Sequence, residues 1–198
     1  MEPLPSLSSV AESKERLESL LSTLFEPSHT LSQALVPHVY DIISRESATP
    51  DTYAALITIC GDELKKLDPI QQAEFIESHP RIGEVNGLSA LSAQEQATKA
   101  TPPEVLARLQ HLNEMYERRY TGLRYVVFVD GRSREEIMRL MEQVLLIGPV
   151  EPGKEHEPPV QGVMPLDVDD AEWQNELHRA VTDVVLIAKA RLKSLNVA

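Results

Sequence analysis

The sequence predicts an all-α fold, a single-domain helical bundle of about seven to nine helices with one short extended segment. Three observations carry this. Apolar residues return at helical spacing through most of the chain, as at Leu17, Leu20, Leu21 and Leu24. Alternating runs of strand type are nearly missing. Helix-start devices, a Ser, Thr or Asp followed by the first helical turn, recur along the sequence. At 198 residues the chain can bury one sizeable core and is short for two, so residues 1–198 are expected as one domain.

The first helix is expected over "SSVAESKERLESLLSTLF", with Pro27 closing it. "SHTLSQALVPHVYDIIS" predicts a second helix and "TPDTYAALITICGDELKKL" a third, opened by Thr49 as N-cap before Pro50. "DPIQQAEFIESH" repeats that device with Asp68 and Pro69. An irregular stretch, "PRIGEVNGLSAL", follows, and "SAQEQATKA" begins another helix with Ser92 as N-cap and Glu95 as the reciprocal capping-box residue. "TPPEVLARLQHLNEMYERRY" predicts a longer helix with Leu106, Leu109, Leu112, Met115 and Tyr116 inward. "GLRYVVFVDG" alone has strand composition. "SREEIMRLMEQVLLI" and "DDAEWQNELHRAVTDVVLIAKARLKSL" return to helix, with Trp173 in the core. Residues 148–166 between them are rich in Pro, Gly and charge and read as a surface loop containing a solvated His156.

Composition narrows the function. Acidic residues outnumber basic ones 31 to 19, a net charge of −12, which opposes binding to nucleic acid. The lone Cys60 cannot form an internal disulfide. No apolar run reaches membrane-spanning length, and the acidic start is unlike a secretory or transit peptide. The expected compartment is the cytoplasm, the final "LNVA" differing from an SKL-type peroxisomal signal. Six histidines show no HExxH arrangement and Cys60 has no partner ligand, so no metal is expected. There is no GxSxG elbow for a nucleophilic serine.

"SHPRIGEV" is the stretch with the most chemistry. His79, stopped by Pro80, has two readings: a cation at the negative end of a helix dipole, or an imidazole held still for use. The second gains from the capped helix downstream, whose Ser92, Glu95 and Gln96 can meet a polar ligand and orient the imidazole. "YVVFVDG" also has two readings, buried core or extended backbone whose unpaired amides line a pocket. Arg132, beside Gly131, is either a surface residue or the cation for a substrate carboxylate.

These residues in this order, "LLSTLFEPS", "SHPRIGE", "SAQEQ", "LNEMYERRY", "GLRYVVFVDGRS" and "IAKARL", resemble the OHCU decarboxylase family, named for 2-oxo-4-hydroxy-4-carboxy-5-ureidoimidazoline. The resemblance runs from about Leu17 to Leu192. It implies cofactor-free decarboxylation of a cyclic ureide, OHCU, to (S)-allantoin in urate breakdown, and a homodimer. On that basis His79 and Glu95 are the catalytic pair. Pro80, Ser92, Gln96, Arg132 and the backbone at Tyr125, Val127 and Val129 are substrate contacts. The rival of a different class is a catalytically silent helical module that keeps the fold and binds a ligand.

Overall fold

The computed structural model describes residues 4–45, 49–84, 88–96, 101–148 and 158–195, with backbone alone at 94–96. Among these residues the chain forms nine α-helices and no sheet. Serine caps divide the expected first helix. α1 (Leu7–Glu12) begins at Ser6, and Ser13 turns extended before α2 (Lys14–Leu24), its hydroxyl accepting from the Arg16 amide at 3.3 Å. A serine oxygen offers the backbone a local acceptor that competes with helix continuation.

The second helix starts as a π-turn, Leu31–Leu35, and becomes α3 (Val36–Ile43). Pro37 explains the widening: its ring crowds the carbonyl four residues back and it has no amide to donate. α4 (Tyr53–Leu64) is capped by Thr52, not by the expected Thr49, whose hydroxyl instead donates to the Ile43 carbonyl at 3.1 Å. α5 (Pro69–Glu77) starts as expected, the Asp68 carboxylate accepting from the amides of Ile70 and Gln71 at 3.0 Å each. α6 (Ala90–Gln96) starts earlier than expected. Ser89 accepts from the Ser92 amide, so Ser92 is not the N-cap but lies buried within the helix.

α7 (Pro103–Arg119) buries Leu109, Leu112, Met115 and Tyr116, whereas Leu106 is only half-buried. Arg108 is buried too, paired at 3.3 Å with Glu142 of α8 (Arg134–Val144). Residues 123–129 are extended, with no strand partner among the described residues. The described part of the expected surface loop, from residue 158, runs along α7. Arg118 Nε donates to the Val163 carbonyl at 2.9 Å, and the Leu166 amide donates to that of Arg119 at 2.8 Å. His156 and the rest of 149–157 lie outside the described residues.

α9 (Ala171–Ser194) is the axis of the bundle and packs on α2, α4 and α5. Its inward stripe runs Trp173, Leu177, Ala180, Val184, Ala188 and Arg191. Trp173 is fully buried and donates its indole N–H to the Thr121 carbonyl at 3.1 Å. No helix among the described residues is long and apolar enough to cross a membrane.

The α4–α9 crossing depends on Gly61, where an added Cβ would sit 2.8 Å from Val185 Cγ2. Gly61→Ala is therefore expected to destabilise, because overpacking of about 1–3 kcal/mol exceeds a helix-propensity gain of about 1 kcal/mol. In a Val185→Ala background the clash is gone and the same change should stabilise. Thermal melts of the four proteins in this double-mutant cycle check the sign reversal.

Candidate active site

A cavity of about 370 Å³ lies where the end of α5, the extended segment and α9 converge. Its first wall is His79, Pro80 and Ile82. α5 ends at Ser78, and the His79 amide still donates to the Ile76 carbonyl at 3.1 Å before Pro80 forbids another turn. Gly83 then takes φ +86°, a conformation that favours glycine. Two side chains hold this stretch from outside the cavity. Asn113 of α7 donates to the Ile82 carbonyl at 3.0 Å, and Arg124 Nη1 donates to the His79 carbonyl at 2.7 Å.

The His79 side chain is only 3% exposed. Its ring centroid lies 5.9 Å from that of Phe75, Nδ1 is 3.5 Å from the Ser78 hydroxyl, and Nε2 has no hydrogen-bond partner among the described residues. Burial, helped by the Arg191 guanidinium and opposed by Glu26, pulls its pKa down to about 4. The imidazole is thus neutral near pH 7, which corrects the reading of His79 as a helix-end cation. Exposed helix ends favour the charged ring, but desolvation here outweighs the dipole.

The floor is built on α9, from Ile187, Ala190 and Arg191. Arg191 is 2% exposed and densely engaged. Nη2 donates to Glu26 Oε1 and to the Ser92 hydroxyl, both at 2.8 Å, while Nη1 donates to the carbonyls of Leu24 and Phe25. Ser92 in turn donates to Glu26 at 2.6 Å and Ser89 does so at 2.9 Å. Glu26 and Arg191 were not singled out as site residues from the sequence. Arg191 had a readable signal, since it falls on the buried stripe of α9, where a charge calls for a buried partner. Glu26 offered no such phase, because it lies in the irregular stretch just after α2 and its C-cap Phe25.

The second wall is the extended segment. Tyr125, Val127 and Val129 line the cavity, as do their neighbours through Gly131. The Tyr125 ring is packed edge-on to Tyr116, with Arg179 5.0 Å from its centroid, and burial pushes its pKa up to about 12. That ring is core, which leaves the main chain as the part of this residue suited to a ligand. No hydrogen bond is formed to the amide or carbonyl of Val127 among the described residues. The stretch thus packs into the core with Tyr125 and Val126 and also borders the cavity. Arg132 curls back: Nε donates to the Val129 carbonyl at 2.9 Å and Nη2 to that of Phe128. It is not among the residues lining the cavity.

His79, Pro80 and Ser92 are thus brought together with the backbone of Tyr125, Val127 and Val129. Glu95 and Gln96 are carried on α6, but their side chains lie outside the described residues.

A search of curated proteins finds no match to this chain. The family model described as OHCU decarboxylase matches residues 11–157, which include α2, the His79–Pro80 turn, α6 and the extended wall, and stop short of α9. With most of its length matched, the chain belongs to the OHCU decarboxylase family, a family of purine catabolism.

Proposed function

We propose that this protein decarboxylates OHCU to (S)-allantoin without a cofactor, and that His79 carries the proton. The observation that supports the reading best is a neutral imidazole, with Nε2 uncommitted among the described residues, on a small, largely apolar cavity. The volume suits a compact ligand. Loss of carbon dioxide from C4 of the substrate leaves an electron pair that the adjoining ring imine accepts, with a proton taken up at nitrogen, to give an enol. Neutral Nε2 removes the enol hydroxyl proton and returns a proton to C5 from one face, which restores the carbonyl and sets the stereocentre.

The surroundings support this chemistry. A carboxylate gives up its charge as carbon dioxide leaves, so a dry apolar chamber does not penalise the product side. Arg191 is compensated by Glu26 at 2.8 Å, and a balanced pair does not over-stabilise the substrate anion. The open amide and carbonyl of Val127 complement the adjacent N–H and C=O of a cyclic ureide. Pro80 limits how the ring approaches His79. Glu95, one turn beyond Ser92 on α6, is assigned to hold the substrate hydroxyl or orient the imidazole, with Gln96 beside it. Homodimerisation belongs to the same reading.

Freshly generated OHCU, followed by circular dichroism, should convert faster than in buffer to the signal of (S)-allantoin alone. A folded protein with no acceleration would favour the ligand-binding module. His79→Asn is expected to lower kcat by about 10²- to 10⁴-fold while the protein still melts cooperatively.

The pH dependence has a definite sign. With its pKa near 4, His79 should leave kcat/KM level between pH 6 and 8 and cause a fall only toward pH 4. A limb at the ordinary histidine value of about 6.5 would count against the assignment. The unfolded chain binds a proton at this site between about pH 6.5 and 4 and the folded chain does not. Stability should therefore be full above 6.5 and decline as pH falls through that window, by up to about 3 kcal/mol. His79→Asn should remove that part of the decline in chemical denaturation curves.

A further inference from the structure

Among the described residues the extended wall lacks what normally holds such a segment, a neighbouring strand. Side chains replace it. Arg179 Nη1 of α9 donates to the Val126 carbonyl at 2.8 Å, and Arg132 covers the carbonyls of Phe128 and Val129. The carbonyls of Val126, Phe128 and Val129 are thus occupied, and among the described residues no hydrogen bond is formed to the donor or acceptor of Val127 beside the cavity.

Arg179 is held at all three of its guanidinium nitrogens. Glu176 takes its Nε at 2.9 Å and its Nη2 at 2.6 Å, Asp183 takes Nη1 at 2.7 Å, and the ring of Tyr125 lies against it. Glu176 is itself fixed by the Tyr116 hydroxyl of α7, which donates to it at 2.7 Å. Arg191, on the cavity floor, stands on the same helix. One rigid rod therefore spaces the floor from the wall.

We propose that Arg179 is a positioning residue for the reaction, setting the register of the cavity wall through the Val126 carbonyl so that Val127 meets the substrate ring opposite His79. The inference rests on the decarboxylase reading. Misplacement of a bound ring by about 1 Å costs up to about 100-fold in rate, and it also loosens the face to which the proton is delivered.

The test compares wild type with Arg179→Lys, Arg179→Met and Asp183→Asn, measuring KM, kcat, the enantiomeric excess of the allantoin formed, and Tm. A lysine keeps the charge but cannot span Glu176, Asp183 and Val126 together. Arg179→Lys is expected to raise KM about tenfold and lower the enantiomeric excess in a protein that still melts cooperatively. Asp183→Asn, which retains an acceptor for Arg179, should show a smaller change in the same direction. Where an Arg179 variant fails to fold, Asp183→Asn carries the test. Folded variants with wild-type KM and product handedness, or variants that lose only Tm and active fraction, overturn the inference and leave the decarboxylase reading intact. A folded wild type that does not accelerate OHCU turnover removes both.

Discussion

The buried ion pair between Arg191 and Glu26 is the constraint on which the rest of the site depends. Two charges taken out of water cost several kcal/mol each unless their hydrogen-bonding capacity is met nearby. Here the requirement draws four parts of the chain to one point: the carbonyls that end α2, Glu26 just after it, Ser92 of α6, and the last turns of α9. Such a pair adds little net stability compared with apolar packing, but breaking one side leaves an unpaired buried charge at a cost of about 3–5 kcal/mol. Its contribution is to specify an arrangement. It also sets the electrostatics of His79, because a guanidinium close to a desolvated imidazole adds to the burial that keeps the ring neutral, while Glu26 only partly offsets it.

Around that point the cavity is braced from behind by α7. Asn113 holds the turn after Pro80, and Tyr116, through Glu176 and Arg179, holds the opposite wall. The Asn-x-x-Tyr spacing puts both residues on one side of the helix, one turn apart, so a single rigid element references both walls. Arg124 ties the walls to each other directly through the His79 carbonyl. Polar side chains thereby perform for the extended segment what a sheet would do elsewhere, and among the described residues they leave Val127 on its cavity side without a hydrogen bond.

Much of the architecture was legible because it rests on local physics. Helical periodicity, the Asp68–Pro69 start and the burial of Trp173 follow from spacing and capping chemistry that need no distant partner. The errors were also local in form but tertiary in origin. Ser89 displaced Ser92 as the cap because Ser92 is drawn inward to Glu26, and Thr52 displaced Thr49, whose hydroxyl is spent on the end of α3. Arg132 reads in the sequence either as a surface residue or as the cation for a substrate carboxylate. In the fold it bonds the carbonyls of the segment that precedes it.

By itself the sequence determined an all-helical chain, a histidine halted by proline at a helix end, and an apolar extended stretch able to border a pocket. Those properties depend on residues within a few positions of one another. Tertiary structure alone decided that Glu26, Ser92 and Arg191 share one buried network, that His79 is neutral, and that Val127 borders the cavity with its backbone groups unbonded among the described residues. Burial and the field of distant charges set these outcomes, and neither is defined until segments more than a hundred residues apart come into contact.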